Sequence, residues 1–292
     1  MFHKAIILTG LLATTVLGSP VVANVRNANR LDKPVLSPQL PDLSKGLEAN
    51  LNFAYGEIAR WVTHGYEGNP RTNEVCQSYW KNNHLAWEDL WHFNATYRDC
   101  LAMSWNGCFH SKAELDPEDI FQIWGMIPVQ MRSYTRHLIV LPAEAENHSS
   151  KSSAVWNDRD DIYIKGRPSM HEFLVAVAKS ADLHGFPGIK DAYHNTTEWL
   201  EAYNKDSAVP STIAQISQAE NIAVHIAIAL FDIRVPGGIS SVLPGWRDIG
   251  NQQKQITKAA HPDLFGLHGA PKSRELQCNV TDRRPNSPWV IL

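Results

Sequence analysis

The chain has 292 residues, 43% of them hydrophobic and 20% charged, with a formal net charge of -3. That length suits one large domain or two small ones, with ample sequence for a core. The near-neutral balance supplies no basic stripe, which speaks against nucleic acid and against anionic membrane surfaces as partners.

In chain order, Lys4, the apolar run Ala5 to Gly18 and the small residues Val21-Val22-Ala23 read as a secretory signal over residues 1–23. The run is 14 residues, too short to span a bilayer comfortably, and no later stretch reaches 18 uninterrupted apolar residues. A soluble, secreted protein is the expectation. Residues 24–45, with Pro34, Pro38 and Pro41, read as a flexible or extended lead-in to a domain over 46–292. From Leu47 to Val62, the positions Leu51, Ala54, Tyr55, Ile58, Ala59 and Val62 recur at helical spacing. The stretch to Phe109 carries Trp61, Trp80, Trp87, Trp91 and Trp105. Aromatic residues so placed are expected in a core, with a helical, Trp-rich subdomain over 46–130 as one organisation. Asp116 and Pro117 have the residue types of a helix cap and first helical position.

The second half is more legible. His137 to Leu141 is a compact apolar strand stopped by Pro142, and Glu144 to Asn157 reads as a polar loop. Asp161 to Lys165 is a second, alternating strand closed by Gly166 and Pro168. A helix opens at Ser169, a second runs over Asn195–Tyr203, and a third, long one over Ile213–Phe231. One block of strands among many helices gives an α+β class, mostly helical with a small sheet.

Cys76, Cys100, Cys108 and Cys278 make an even count suited to an oxidising compartment. Three pairings are open; Cys100–Cys108 as a local loop and Cys76–Cys278 as a long tie are favoured. Glycosylation sequons stand at Asn94, Asn147, Asn195 and Asn279, and occupied sites must lie at the surface.

Chemistry is suggested by Ser169-Met170-His171-Glu172-Phe173-Leu174-Val175. A His-Glu-x-x-His helix aims two imidazoles at one metal, with the glutamate between them as general base. Here Val175 replaces the second histidine. Ser169-x-x-Glu172 also matches a capping box, which by itself accounts for the glutamate. On the third helix Ile213, Ile216, Glu220, Ala223, Ala227 and Leu230 share one face, which places Glu220 within an apolar stripe. A carboxylate there needs a charge partner, hydrogen bonds or a metal.

These residues carry a resemblance. The strand Asp161-Ile162-Tyr163-Ile164, His171-Glu172, the segment Trp199-Leu200 through Asp206-Ser207 to Val209-Pro210, and Gln218-Ala219-Glu220-Asn221-Ile222-Ala223 resemble the fungal conidiation-specific secreted proteins. That family has a metallopeptidase-like domain of the anthrax-lethal-factor type, and the likeness spans residues 130 to 240. It implies a zincin-like fold, zinc held by His171 and Glu220, and Glu172 as base. It also wants histidine at 175 and tyrosine at 213, where this chain has Val175 and Ile213. Loss of a ligand removes most zinc affinity, and loss of an oxyanion donor costs a further ~10²–10³ in rate.

The nearby candidates for a substitute ligand are poorly placed: His184 falls past the helix end at Gly185, Asp182 is about 16 Å along the axis from His171, and His225 is about 140° round its helix from Glu220. The leading expectation is a degenerate, non-catalytic site in a secreted glycoprotein of the spore or matrix, binding a peptide, a protein or a cell-wall component. The alternative is an active zinc metallopeptidase with an atypical ligand set. A third is an unrelated secreted enzyme, although no Gly-x-Ser-x-Gly elbow, P-loop or dinucleotide fingerprint occurs.

Overall fold

A computed structural model describes residues 30–51, 56–65, 71–143, 154–266 and 284–291. The signal segment, Cys278, Asn147 and Asn279 lie outside the described residues.

The protein is α+β, built on a six-stranded sheet. Its strands are β1 (Ile58–Gly65), β3 (Leu90–Tyr97), β4 (Cys100–His110), β5 (His137–Leu141), β6 (Val155–Asp158) and β7 (Asp161–Lys165), in the order β1-β3-β4-β5-β7-β6. β1, β3 and β4 form an antiparallel meander, β4 to β5 and β5 to β7 are parallel, and β6 returns antiparallel to β7. Two short strands, β2 (Arg71–Asn73) and β8 (Trp289–Ile291), pair separately.

Alternation along β5 and β7 assigns the two faces. Leu138, Val140, Ile162 and Ile164 enter the main core, whereas Ile139, Leu141 and Tyr163 pack in a second cluster with Trp80 and Cys76. Helix α2 (Glu74–Asn82) covers that second face. The main core is filled by α5 (Met170–His184) and α7 (Gln218–Arg234), which pack against each other and bury, among others, Leu174, Ala178 and Ala181 of α5 and Ala223, Ile226 and Leu230 of α7. The remaining helices are α1 (Ser44–Leu51), α3 (Pro117–Met126), α4 (Val129–Ser133), α6 (Thr197–Lys205) and α8 (Gly250–Ala259).

Several expectations need correction. Of the helix read over Leu47–Val62, residues up to Leu51 belong to α1, Ala54 and Tyr55 lie outside the described residues, and Ile58–Gly65 is a strand whose β-branched and aromatic residues (Ile58, Trp61, Val62, Thr63) suit a pleated ribbon. The Trp-rich stretch is largely strand, hydrogen-bonded into the same sheet as β5. Trp80 and Trp105 are buried, but Trp61 and Trp91 are exposed. The polar loop ends earlier than Asn157, because Val155–Asp158 is β6. The sheet is larger than expected. Within the lead-in, Leu36, Leu40 and Leu43 are buried against the core and Val35 bridges Val209.

Neither favoured cysteine pairing occurs. Cys76 on α2 bonds Cys108 on β4, and Cys100 is engaged in a disulfide as well. Cys100 and Cys108 share strand β4, eight residues apart; an extended strand separates them by ~27 Å, against the ~6 Å a disulfide needs. The helix start at Asp116 is as expected: its side chain accepts from the Asp119 N–H at 2.8 Å, with Pro117 in the first turn. Asn94 and Asn195 are both exposed.

Candidate functional site

The His-Glu segment opens α5. Ser169 caps it: the Glu172 N–H donates to Ser169 Oγ at 3.2 Å, and the Ser169 N–H donates to Glu172 Oε2 at 2.9 Å. Both halves of the capping box are formed, so the Glu172 carboxylate is occupied by a backbone donor of its own helix. It is also solvent-exposed.

His171 occupies the first turn of α5, where the start of α1 approaches. Its backbone N–H donates to Ser44 Oγ at 2.9 Å, and Ser44 N–H donates to Asp42 Oδ1 at 2.7 Å. Burial lowers the pKa of the imidazole, with the Asp42 and Glu172 carboxylates pulling the other way. Its Nε2 is buried and has no hydrogen-bond partner. The ring is therefore held neutral, a state that could ligate a metal.

Val175 lies one turn on and packs against the main core. Lys179 follows one turn later on the same face, about 12 Å from His171 along the axis. This lysine is what the sequence reading missed. Its Nζ donates to Glu220 Oε1 at 2.6 Å, and both side chains are about three-quarters buried (24% and 22% exposed). The carboxylate expected as third zinc ligand thus carries an ammonium partner. That satisfies the need of a largely buried acid without metal.

Glu220 is also placed differently within its helix. Ser217 adopts an extended backbone and caps α7, accepting from the Glu220 N–H at 3.2 Å. Glu220 is in the first turn, not midway along a stripe. Ile213 and Ile216 precede the helix, around a 3-10 turn, and are 48% and 54% exposed. Neither belongs to the apolar face of α7. The residue at 213, where the family resemblance wants a tyrosine, stands in an exposed connection.

The possible substitute ligands are engaged elsewhere. His184 Nε2 lies 3.0 Å from Asp160 Oδ2. Asp182 accepts from the His194 N–H at 2.9 Å and contacts the His194 ring. His225 is buried inside α7 with Nδ1 3.2 Å from Gln253 Oε1, and burial pushes its pKa down to about 4. Among the described residues no group of three or more His, Cys, Asp or Glu side chains is arranged to hold a metal ion. The donors present in the expected ligand set are one imidazole and one carboxylate already neutralised by lysine, which does not fit a zinc site.

Among the described residues, no helix is long and apolar enough to cross a membrane. Comparison of the chain with protein-family models, with curated proteins and with solved structures gives no match.

Proposed function

We propose that this protein is a secreted glycoprotein of the conidiation-specific, metallopeptidase-like kind, with a zincin-like α5–α7 pair that no longer does peptidase chemistry. It serves as a binding or structural protein of the spore surface or extracellular matrix, holding a peptide, a protein or a cell-wall component. The observation that carries the loss of metal chemistry is the Lys179–Glu220 ion pair. A metal displacing Lys179 would leave an ammonium three-quarters buried without its anion, which opposes binding. Val175 supplies no ligand, and Glu172 is committed to its cap. Secretion is supported by the signal-like residues 1–23, the disulfide bonding of Cys76, Cys108 and Cys100, and the exposure of Asn94 and Asn195.

The test is metal stoichiometry. Purified protein is stripped with chelator, reloaded with zinc, desalted and analysed for bound metal and peptide hydrolysis, beside Glu220→Gln. The expected result is well below one zinc per chain, unchanged by the substitution, and no hydrolysis. One tightly held zinc per chain, lost in Glu220→Gln, would establish the atypical metallopeptidase instead.

A further inference from the structure

On the opposite side of the sheet from α5, the first residues of β5 and β7 are cross-strand partners, His137 beside Asp161. Their side chains meet: His137 Nδ1 is 2.8 Å from Asp161 Oδ1. The second carboxylate oxygen of Asp161 accepts from Arg136, which fixes its orientation. At the other end of the ring, His137 Nε2 accepts from the Ser287 backbone N–H at 3.1 Å and lies 3.3 Å from Ser287 Oγ.

The tautomer follows from these bonds. Nε2 accepts, so the ring proton resides on Nδ1 and is donated to Asp161. That is the arrangement in which an imidazole can take a proton from a hydroxyl at Nε2. The ring is fully buried, but Ser287 is only partly so. Ser287 and Asp161 line a cleft of about 560 Å³, walled by Tyr79, Trp156 and Tyr163. Arg136 lines the same cleft, and its Nε–H is buried without a partner. An Oγ–Nε2 distance of 3.3 Å is at the loose end that free enzymes show before substrate tightens the contact.

We propose that Ser287, His137 and Asp161 form an acyl-transfer triad acting on carboxylic esters bound in this cleft. The inference goes beyond the binding role proposed above and is independent of it, because the two sites lie on opposite faces of the sheet. Ser287 Oγ attacks the ester carbonyl carbon while its proton passes to His137 Nε2. As Oγ takes over the Nε2 lone pair, the Ser287 N–H is released from it. The Arg136 guanidinium supplies positive charge to the developing oxyanion. Collapse breaks the bond to the alcohol oxygen, which leaves with the proton from Nε2. Water then attacks the acyl-enzyme, giving its proton to Nε2, and the acid departs as Ser287 Oγ recovers a proton. Asp161 holds the ring and stabilises the imidazolium at each stage.

A fluorophosphonate probe tests this, since a serine so activated displaces fluoride and forms an Oγ–P bond. Full-length protein is treated with the probe and its peptides are analysed by mass. Hydrolysis of 4-nitrophenyl acetate is followed in parallel. The expected result is one adduct, at Ser287, and ester turnover that Ser287→Ala abolishes; alanine keeps the backbone N–H bond to His137, so the fold is preserved. His137→Gln should slow labelling by at least about 10³-fold. Absence of an adduct at Ser287 in folded protein overturns the proposal, as does an adduct formed equally fast in His137→Gln. Should that variant misfold, the unmodified protein decides. Labelling in it must be confined to Ser287, and labelling of other serines at the same rate refutes activation by His137.

Discussion

Replacing Lys179 by methionine probes the interaction on which the reading of α5 and α7 depends. Methionine keeps most of the aliphatic stem and removes the ammonium, so Glu220 is left about three-quarters buried with no cationic partner. Its remaining support is the α7 N-terminus, where the Glu220 N–H is capped by Ser217 and the helix dipole favours a negative charge. Exposed pairs contribute only about 0.2–1 kcal/mol, whereas breaking a fully buried pair costs about 3–5 kcal/mol. With both side chains a quarter exposed and the dipole compensating, Lys179→Met should cost roughly 1–3 kcal/mol. The companion Glu220→Gln relieves the orphaned charge, so the double variant should be more stable than Lys179→Met alone. Urea denaturation of the four proteins gives the coupling directly, at constant m-value. A loss below about 0.5 kcal/mol in Lys179→Met, with zero coupling, would place it among neutral surface changes. The claim that Lys179 neutralises the carboxylate expected as a zinc ligand would then fail.

Further outcomes follow from other parts of the fold. Ser169→Ala removes the acceptor of the α5 capping box and should cost about 1 kcal/mol, read as a fall of roughly 2–4 °C in Tm. Replacing Cys76 and Cys108 together by alanine opens a loop of 32 residues. By loop entropy this costs roughly 3–4 kcal/mol, visible as a lowered urea midpoint. Burial lowers the pKa of His92 and of His225 to about 4, against an ordinary 6.5. Between those values the unfolded chain binds more protons than the folded one, so stability should fall as pH drops from about 6.5 to about 4. His225→Gln should flatten that acid limb; an unchanged pH slope would show that His225 does not contribute.

The sequence made the central strands and α5 legible because their signals are local. His137–Leu141 and Asp161–Lys165 are short apolar runs with clear stops, and both are observed with those limits. Ser169 announced both its helix and the cap role of Glu172. The third helix failed for a reason the residues contain. Ser217-x-x-Glu220 has the same capping spacing as Ser169-x-x-Glu172, and it places Glu220 in a first turn. Helical periodicity of Ile213 and Ile216 masked that start, since period alone cannot tell where a helix begins. The Lys179–Glu220 pair joins residues 41 apart, and the Cys76–Cys108 bond depends on α2 packing on the face of the sheet to which Cys108 belongs. Neither could be read locally. The His137–Asp161–Ser287 chain was equally hidden: its members come from two strands and a distant segment that meet only in the folded sheet.

Zinc titration of the unmodified protein beside a Val175→His/Lys179→Met variant, followed calorimetrically, tests the account of α5 and α7 most directly. No one-to-one binding is expected at micromolar zinc in the unmodified chain, and it should appear in the variant, where a second imidazole is supplied and Glu220 is freed. Tight one-to-one zinc in the unmodified chain, reaching Glu220 despite Lys179, would contradict it.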